Sequence, residues 1–545
     1  MADNIEAPNI RNVRDVIPII LVCVATCIGA ALRFVTLTVN SIWLDEGATW
    51  MISTMSYSDI FWLTFKSEFN PPTLYLMLHP IIETFGASEF TLRIIPCIAG
   101  ILTIPAIYYL GKEMYDWRAG CIAAIFLALS PWHIAYSQEA RAYTLAILCF
   151  TIACIYWYRS MSQPLDIRWY LWFAVAAAAS IWMHYYSAVF VAILAVFGFI
   201  ILWRAWTITD DVPAMEEQVT PVVNWVLASG AIGVFISPMI VAIILTVLYR
   251  VELSTGALFG VVGPYVVSET FYQLSGFSWV TAVVLILWTL AGCMLFVTSG
   301  RTTAALMVGG SIILAFVIAM GVAPYINIVP RYLCCMVPLW LVAAGSAISW
   351  GADRVRTMNI DKILAVCLVA FLIITTIPSL VSVMTVPYKN DWRGAAAYID
   401  ENIKDGDTIV FVPSYIEQPF TMYAQYTERV TKLTQHDFDA TLEIKNGTIY
   451  YLVSTDVYPD DVSEHSWVQS HSDTLVELTG VVIGVRNASL DRTVPYSWQW
   501  YNYTTDYFSY RNNRYDYTTN TTVLYMGTEK GIYYLPPGTY YVEDV

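Results

Sequence analysis

Two adjacent carboxylates, Asp45 and Glu46, follow the first apolar stretch of the chain at a position where acid–base chemistry can occur. That stretch, residues 17–37, is long enough to cross a bilayer. The pair is therefore expected at the boundary between water and lipid, where a carboxylate stays ionised and still faces a partly dry cavity. A carboxylate in that place can serve as a general base or can bind a polar headgroup. The plainer alternative is that both residues only solvate a loop.

Further polar side chains fall in later loops on the same predicted side of the membrane. Arg141 and Arg331 can each pair with a phosphate, because the planar guanidinium fork fits its oxygens and keeps its charge. His184 can add a hydrogen-bond donor to that phosphate. Plainer interpretations exist, since Arg331 can be a boundary residue that reaches the interface and a histidine can simply be buried. Glu139 lies two residues before Arg141, so on a helix the two side chains diverge and need not pair.

Membrane-spanning helices are the elements that would position these side chains. Of the 545 residues, 57% are hydrophobic and 13% are charged, and that charged fraction is about half the usual value for a soluble protein. About eleven apolar runs are present, near residues 17–37, 90–110, 118–136, 141–158, 169–183, 186–203, 223–248, 278–298, 303–322, 332–350 and 362–385. The sequence thus predicts a polytopic α-helical membrane domain over residues 1–386. Its first outer loop, residues 38–89, is predicted to hold interfacial helices over residues 48–65 and 73–85.

The distribution of lysine and arginine predicts the orientation of the chain. Counted from a cytoplasmic N-terminus, the inner loops hold most of the basic residues near the ends of the spans, and the outer loops are longer and poorer in them. An odd number of spans then places residues 387–545 outside the cytoplasm. The first apolar run has no convincing cleavage site, so we expect it to be retained. The sequence therefore predicts a multi-pass protein of the cell membrane with an external C-terminal domain.

The composition after residue 386 is typical of a soluble α/β domain of about 160 residues. Helices are predicted over residues 390–402, opened by Asn390 or Asp391, and over residues 415–426. Strands are predicted over residues 408–412, 448–454, 481–485, 523–526 and 540–542. Four glycosylation sequons in this part agree with external exposure, and they begin at Asn446, Asn487, Asn502 and Asn520. The tyrosine-rich run over residues 496–517 can bind sugars through aromatic faces, although packing within a β-domain is the plainer interpretation.

Charge and cysteine usage exclude other classes of protein. The formal net charge of −15, from 28 basic and 43 acidic residues, argues against a nucleic-acid partner, because phosphate binding needs clustered lysine and arginine. The ten cysteines all lie at or before Cys367. Their spacing indicates neither a metal site nor a disulfide scaffold.

Several motifs occur together in a fixed order along the first part of the chain. They are Trp43-Leu44-Asp45-Glu46, FNPPTLY at residues 69–75, FGASEFTLR at 85–93, LSPWH at 129–133 and YSQEARAY at 136–143. Weaker matches continue with PRY at residues 330–332 and YKNDWRG at 388–394. This ordered set resembles the family of dolichyl-phosphate-mannose-protein mannosyltransferase-like and aminoarabinose-transferase-like membrane glycosyltransferases, most clearly over residues 15–160.

The resemblance implies the C-type glycosyltransferase fold and a dolichyl- or undecaprenyl-phosphate sugar as donor. It implies that Asp45 is the general base that deprotonates an acceptor hydroxyl, with inversion at the sugar, and that Glu46 orients Asp45 or the acceptor. Relatives place a further acidic residue at the position of Glu139 and, in some cases, a basic residue at the position of Asn70. No metal is required, although a divalent cation between the acidic side chains is possible. The predicted substrate-binding residues are Asn70, Glu139, Arg141, His184, Tyr185 and Arg331.

Two other classes of function are open from the residues alone. A transporter or flippase for lipid-linked sugars would also combine many spans with polar loops, although the spans here are nearly free of charge and show no repeat of the first loop. A non-catalytic receptor would bind through its C-terminal domain. For a transferase, the sequence leaves the acceptor open between a protein, a lipid-linked glycan and a surface glycolipid.

Overall fold

The computed structural model describes residues 13–66, 70–208, 215–253, 264–322, 328–355, 361–425, 430–455 and 463–489, with five short strands between residues 499 and 544. Its first part is helical. The helices are α1 (Val13–Val35), α2 (Leu44–Ser53), α3 (Tyr57–Lys66), α4 (Thr73–Phe85), α5 (Glu89–Met114), α6 (Trp117–Leu129), α7 (Pro131–Ser137), α8 (Tyr143–Ser162), α9 (Ile167–Met183), α10 (Ser187–Ile208), α11 (Met215–Leu253), α12 (Pro264–Leu274), α13 (Trp279–Thr298), α14 (Thr302–Ala305), α15 (Ser311–Val322), α16 (Met336–Val355) and α17 (Asp361–Thr385). A π-helical turn, Leu306–Gly310, joins α14 to α15, and a 3₁₀ turn, Pro330–Leu333, precedes α16.

The apolar runs of the sequence form the long helices. Among the described residues, seven helices are long and apolar enough to cross a membrane, or eight if α6 and α7 are one bent span. All eleven predicted runs lie on helices, but α9 and the apolar part of α17 are shorter than a full span. The polytopic helical architecture is thus confirmed, and the number of eleven spans stays a prediction. Outward apolar side chains such as Met294 (69% exposed) indicate a lipid-facing surface.

The first outer loop differs in one respect from its prediction. A single helix was expected over residues 48–65, but the structure has two, α2 and α3, and α2 already begins at Leu44. The helix starts early because Asp45 and Glu46 occupy its first turn, where the helix dipole favours negative charge. Glu46 also accepts a hydrogen bond from the backbone N–H of Trp43, at 3.3 Å. The next predicted helix, over residues 73–85, is confirmed as α4.

A buried arginine stabilises a break between α6 and α7, which meet at an angle of 61°. Arg33, on the last turn of α1, is fully buried. Its guanidinium donates to the backbone oxygens of Leu127 and Ala128, both at 3.2 Å, at the open end of α6. It also donates to Ser137 Oγ at 3.1 Å, on α7. Arg33 therefore satisfies carbonyl groups that the break would otherwise leave unpaired inside the membrane domain.

Ion pairs mark one end of the helical bundle. Arg118 lies 2.6 Å from Asp353, joining the start of α6 to the end of α16, and Arg159 lies 2.6 Å from Glu113, joining the ends of α8 and α5. These arginines belong to the loops predicted as cytoplasmic. The other end of the bundle carries α2 and the loops that follow α7 and α9. The helices thus separate the basic loops from the acidic first loop.

The chain after α17 folds into a sheet flanked by helices. The elements are α18 (Trp392–Asn402), β1 (Thr408–Val412), α19 (Glu417–Thr421), β2 (Thr431–Thr434), α20 (Phe438–Glu443), β3 (Thr448–Ser454), α21 (Ser463–His471), β4 (Thr474–Leu478) and β5 (Val481–Asn487). The strand order is β2-β1-β3-β5-β4. β1 runs parallel to β2 and β3, with Thr408 opposite Thr431 and Ile449, and β5 is antiparallel to its neighbours. A C-terminal α/β domain is therefore present.

Both faces of this sheet are covered. α18 packs Trp392 and Ile399 on one face with β1 residues such as Phe411, and α21 packs Trp467 on the other. Trp467 stacks on Phe438 with ring centroids 4.2 Å apart. Five further strands, in two small sheets, are β6 (Gln499–Asn502), β7 (Arg514–Asp516), β8 (Thr521–Met526), β9 (Ile532–Leu535) and β10 (Val542–Asp544).

Some predictions for this domain need correction. The predicted helix over residues 415–426 is wrong: a 3₁₀ turn, Ser414–Ile416, leads into the five-residue α19. Phe420 packs into the core of the sheet, and Tyr423, two residues beyond the end of α19, packs against the same core while its hydroxyl accepts from the backbone N–H of Ile42 in the first loop. The helix predicted over residues 390–402 begins at Trp392 and is capped by Asp391, which accepts from the N–H of Gly394 at 2.9 Å.

The sequons and the tyrosine-rich run are only partly covered by the structure. Asn446 and Asn487 are exposed, Asn502 ends β6, and Asn520 lies outside the described residues. The tyrosine-rich run over residues 496–517 also lies largely outside them, so its role stays a prediction.

Candidate active site

The first turn of α2 directs its two carboxylates into different surroundings. The side chain of Asp45 is 26% exposed, whereas that of Glu46 is 0% exposed. Thr49, one turn later on α2, donates its hydroxyl to the backbone oxygen of Asp45 at 2.9 Å. The turn is thus regular, and adjacent residues on a helix point about 100° apart. One carboxylate therefore faces open space and the other faces the protein interior.

Glu46 is held by donors from four parts of the chain. Arg93, on α5, makes a two-pronged contact with it, with Nε and Nη2 each 2.7 Å from a carboxylate oxygen. Lys389 Nζ lies 2.9 Å from Oε2, and the backbone N–H groups of Ala140 and Trp43 donate at 2.8 and 3.3 Å. Arg93 spends its other donors on backbone oxygens of the chain before α2. Glu46 therefore fixes α2 to α5, to the loop before α8 and to the C-terminal domain.

These partners keep Glu46 ionised. Burial alone would raise the pKa of Glu46, but the positive charges and hydrogen bonds of Arg93 and Lys389 outweigh burial and lower it to about 2. Burial also lowers the pKa of Lys389, which Glu46 partly restores. The group is a buried ion-paired network with its hydrogen bonds satisfied.

Asp45 instead faces two arginines from distant loops. Its Oδ2 lies 3.6 Å from Nη2 of Arg331 and 3.9 Å from Nε of Arg141. Both distances exceed those of a charge-assisted hydrogen bond. Within the described part of the chain, no hydrogen bond to the Asp45 carboxylate is found, so its lone pairs are available. The structure thus brings Asp45, Arg141 and Arg331 together, three of the residues predicted from the sequence.

Polar atoms near this group lack hydrogen-bond partners among the residues that the structure describes. They are Trp43 Nε1, Glu139 Oε1, His184 Nδ1 and Arg331 Nε. The guanidinium of Arg331 lies 5.6 Å from the Trp43 ring, on its face. Buried polar groups are normally paired, and each unpaired one costs about 1–3 kcal/mol. Their concentration beside Asp45 indicates a place prepared for a polar ligand.

Burial shifts the pKa of Glu139 and the pKa of His184 in the direction that favours the uncharged form of each side chain. Burial raises the pKa of Glu139, with Lys389 opposing and the carboxylate of Glu46 adding to the rise. Burial lowers the pKa of His184 to about 3, and the positive charges of Arg141 and Arg331 lower it further. His184 is therefore neutral at ordinary pH and can offer a hydrogen bond but no charge.

Aromatic rings enclose His184. The ring centroid of Tyr143 lies 5.1 Å from it and that of Tyr332 lies 5.6 Å from it. Tyr332 also stacks on Tyr186 with centroids 4.5 Å apart. Since Tyr332 follows Arg331 directly, this aromatic wall forms one side of the space near Asp45 and can support an apolar face of a sugar.

The two remaining predicted residues lie on either side of one contact between loops. Thr73 Oγ1, at the start of α4, donates to the backbone oxygen of Trp182 at 2.7 Å. Asn70 lies three residues before Thr73, Tyr185 lies three residues after Trp182, and both are half-buried. Their contact with a substrate stays a prediction.

The sequence prediction omitted Arg93 and Lys389 from the site. A signal for Arg93 exists, because a charged residue inside an apolar span is expensive and is often functional. Lys389 gives a weaker signal, since it lies in a polar segment after the last apolar run. As for a metal, the described residues contain no group of three or more His, Cys, Asp or Glu side chains arranged to bind one.

Comparison with known proteins supports the resemblance seen in the motifs. The sequence model of the family described as dolichyl-phosphate-mannose-protein mannosyltransferase matches residues 70–215. No curated protein sequence matches the chain significantly.

Among solved structures, the chain is similar over most of its length to ArnT from Cupriavidus metallidurans. The apo form is 14% identical, covers 88% of this chain and 99% of its own, and has a TM-score of 0.57. The form bound to undecaprenyl phosphate is 13% identical, covers 86% and 98%, and has a TM-score of 0.56. The archaeal oligosaccharyltransferase AglB from Archaeoglobus fulgidus, in complex with an inhibitory peptide and a dolichol-phosphate, is 11% identical, covers 88% and 75%, and has a TM-score of 0.51.

The family match over residues 70–215 and the likeness to ArnT confirm the resemblance seen in the motifs and the C-type glycosyltransferase fold.

Proposed function

We propose that this protein transfers a sugar from a polyprenyl-phosphate donor to an acceptor hydroxyl, with inversion at the anomeric carbon and with Asp45 as general base. The similarity to ArnT with bound undecaprenyl phosphate supports a polyprenyl-phosphate donor. The reaction takes place at the end of the bundle that carries α2, which we place on the outer face of the cell membrane. The N-terminus is then cytoplasmic and the C-terminal domain is external.

The observation that carries the base assignment is the contrast between two neighbouring carboxylates. The Glu46 carboxylate accepts hydrogen bonds from Arg93, Lys389 and the backbone N–H of Ala140, and its pKa is held near 2. The side chain of Asp45 is one-quarter exposed, and its carboxylate accepts no hydrogen bond within the described part of the chain. A general base needs a free lone pair within reach of the substrate hydroxyl. Only Asp45 of the pair has one, so Glu46 has a positioning role.

The chemical step follows from this placement. The acceptor oxygen gives its proton to Asp45 and forms a bond to the anomeric carbon, while the bond from that carbon to the phosphate oxygen breaks. The leaving polyprenyl phosphate keeps the electron pair. Because attack comes from the face opposite the phosphate, the configuration inverts. Asp45 then releases its proton to water.

Arg141 and Arg331 are suited to stabilise the leaving phosphate. Their N–O distances to Asp45, 3.9 and 3.6 Å, are longer than a charge-assisted hydrogen bond, so each guanidinium can also contact a second anion. A guanidinium keeps its charge at any working pH and binds phosphate oxygens in a fork. Charge that develops on the leaving oxygen is then compensated by groups already in place.

The unpaired polar atoms supply contacts for the sugar. Glu139 Oε1 can accept and His184 can donate or accept a hydrogen bond, and both lack partners among the described residues. Sugar hydroxyls both donate and accept, so one ring could satisfy both groups. Tyr332 and Tyr186 provide the neighbouring aromatic surface. The same residues can contact either the donor sugar or an acceptor sugar.

Replacement of the base tests the proposal. Purified protein in liposomes is supplied with a panel of radiolabelled dolichyl- and undecaprenyl-phosphate sugars and with membranes that contain the natural acceptor. The wild type is expected to transfer one of the labels, and Asp45→Asn is expected to lose at least about a hundredfold in rate, since general-base catalysis contributes about 10²–10⁴-fold. Asp59→Asn is the control, because Asp59 is an exposed carboxylate on α3 bonded to Ser56.

Two results would contradict the proposal. Failure of the wild type to move any label would argue against the donor class. Activity of Asp45→Asn within a few fold of wild type, in protein that folds normally, would argue against the base. Addition of EDTA in the same assay tests whether a divalent cation is needed.

A further inference from the structure

The segment between α17 and α18 reaches from the C-terminal domain into the support of the active site. α17 ends at Thr385 and α18 begins at Trp392. Lys389, between them, has a side chain that is 5% exposed and an ammonium group 2.9 Å from Oε2 of Glu46. The backbone of Glu46 is directly joined to that of Asp45. A residue at the root of the C-terminal domain thus bonds to the neighbour of the proposed base.

The residue after Lys389 holds this segment on both sides. Ser41, in the first outer loop, donates its hydroxyl to the backbone oxygen of Asn390 at 2.7 Å. The Asn390 side chain donates to Ser454 Oγ at 3.1 Å and to the backbone oxygen of Gly480 at 2.9 Å. Ser454 ends β3, and Gly480 lies in the turn between β4 and β5. Asn390 therefore links the first loop to the central sheet.

A second group of contacts joins the C-terminal domain to the chain before α2 and to the start of α5. The backbone N–H of Ile42 donates to the hydroxyl of Tyr423 at 2.8 Å, and that hydroxyl donates to Glu89 at 2.6 Å. Arg393 pairs with the same Glu89 carboxylate and donates to the backbone oxygen of Thr38 at 3.0 Å. These bonds hold the chain on the N-terminal side of α2.

α2 itself touches the C-terminal domain without a gap. A Cβ atom built on Gly47 would lie 2.7 Å from the backbone nitrogen of Pro419, in α19. This closeness is possible only because residue 47 is glycine. α19 follows the carboxyl end of β1. The contact between Gly47 and Pro419 therefore places α2, the helix that carries Asp45, next to the segment that leaves this end of the sheet.

From these contacts we propose that Lys389 is a positioning residue for the transfer reaction, through which the C-terminal domain fixes the first turn of α2 and hence the direction of the Asp45 carboxylate. The inference rests on the proposed function for the role of Asp45. It adds that the C-terminal domain is a working part of the active site, rather than a separate binding module.

Loss of Lys389 would change the set of groups that hold the Glu46 carboxylate in place. Glu46 would keep Arg93 but would lose the only donor that the C-terminal domain supplies to it among the described contacts. Among the described contacts, the hydrogen bonds that remain to the Glu46 carboxylate would all come from the membrane domain. Displacement of a catalytic group by about 1 Å can reduce a rate about a hundredfold, while substrate binding changes little.

The test compares two Lys–Glu pairs whose lysines both lie in the C-terminal domain. Lys389→Met removes the buried pair, and Lys432→Met removes the exposed pair with Glu417, whose N–O distance is 2.8 Å. Lys389→Arg keeps the charge. We expect Lys389→Met to lower kcat about a hundredfold with KM changed by less than about threefold, Lys389→Arg to recover most of kcat, and Lys432→Met to match wild type.

A second measurement does not depend on activity. Hydrogen–deuterium exchange of the peptide containing residues 44–53 should become faster in Lys389→Met and stay unchanged in Lys432→Met. Unchanged exchange in Lys389→Met, or kcat within threefold of wild type in an active preparation, would overturn the positioning role. If the wild type is inactive but exchange is faster in Lys389→Met, the proposed reaction is rejected. The structural link between Lys389 and the first turn of α2 is then still supported.

If Lys389→Met does not fold, a milder variant tests whether the C-terminal domain positions α2. Tyr423→Phe removes only the hydroxyl shared by Ile42 and Glu89. It is expected to speed exchange of residues 38–53 and to lower kcat more than KM. Exchange and kcat equal to those of wild type would overturn the proposal.

Discussion

Two neighbouring side chains of the same chemistry have opposite environments in this protein. Glu46 is surrounded by donors, of which Arg93 and Lys389 are charged, and Asp45 is left with room for a substrate. A buried ion pair contributes less to net stability than to the fixed geometry of what it holds, because its desolvation cost offsets much of its attraction. In the proposed function, the sequence motif Asp-Glu thus combines one carboxylate for chemistry with one for orientation.

The pH dependence of stability should show the contribution of Glu46. Its pKa is about 2 in the folded protein against a usual value of 4.5, so the folded state gains on the order of 3 kcal/mol from this group above pH 4.5. That contribution is lost as the pH falls from 4.5 through about 2. We expect the thermal midpoint of the purified protein to fall over this range. Glu46→Gln should have a lower midpoint at pH 7, because it leaves two buried cations, and a weaker acid dependence.

The control for this measurement is Glu417→Gln. Glu417 also pairs with a lysine, but its side chain is 43% exposed, and exposed pairs contribute about 0–1 kcal/mol. A Glu46→Gln midpoint and acid slope equal to those of Glu417→Gln would show that the network around Glu46 does not stabilise the fold.

At the scale of single elements, close packing against a neighbouring helix constrains the position of α2. α2 lies against α19, and Gly47 leaves no space for a side chain at this contact. A helix normally gains about 1 kcal/mol when an interior glycine becomes alanine. A loss of stability at this position would therefore show that the clash with Pro419 costs more than this gain.

Gly47→Ala should weaken the contact between α2 and α19. Because the added methyl would meet the backbone of Pro419 at 2.7 Å, one of the two elements must move. We expect a thermal midpoint several degrees lower and a reduced kcat. Gly230→Ala, in α11, is the matched control, since nothing lies within 4 Å of its Cβ position. If both variants have the midpoint and rate of wild type, the contact does not constrain α2.

The elements were predictable from sequence to different degrees. The long helices follow from continuous apolar runs, because a span in lipid must satisfy its backbone internally and present apolar side chains. The partners of Glu46 were not predictable, since Arg93 is 47 residues away and Lys389 is 343 residues away. Local patterns carry no information about such pairings. For the same reason α19 was predicted too long, because only the fold shows that Tyr423 bonds to Ile42.

At the scale of the whole molecule, the charged residues divide between two ends of one helical bundle. One end pairs Arg118 with Asp353 and Arg159 with Glu113, and the other carries the site around Asp45. The C-terminal domain covers the second end through Lys389. If basic loops mark the cytoplasmic side, then the site and the C-terminal domain share the outer side, where a sugar carried on a lipid phosphate would meet its acceptor.

This arrangement predicts which surfaces a membrane-impermeant thiol reagent can reach. Leu165, between α8 and α9, and Leu475, on β4, are both exposed, at 55% and 39%. In a background whose exposed native cysteines Cys23, Cys27 and Cys367 are replaced by serine, intact cells should label Leu475→Cys and not Leu165→Cys. Permeabilised cells should label both, because the fold places the two positions at opposite ends of the bundle. Labelling of Leu165→Cys in intact cells would contradict this orientation. It would mean that Asp45 and the donor that it acts on lie at the cytoplasmic face.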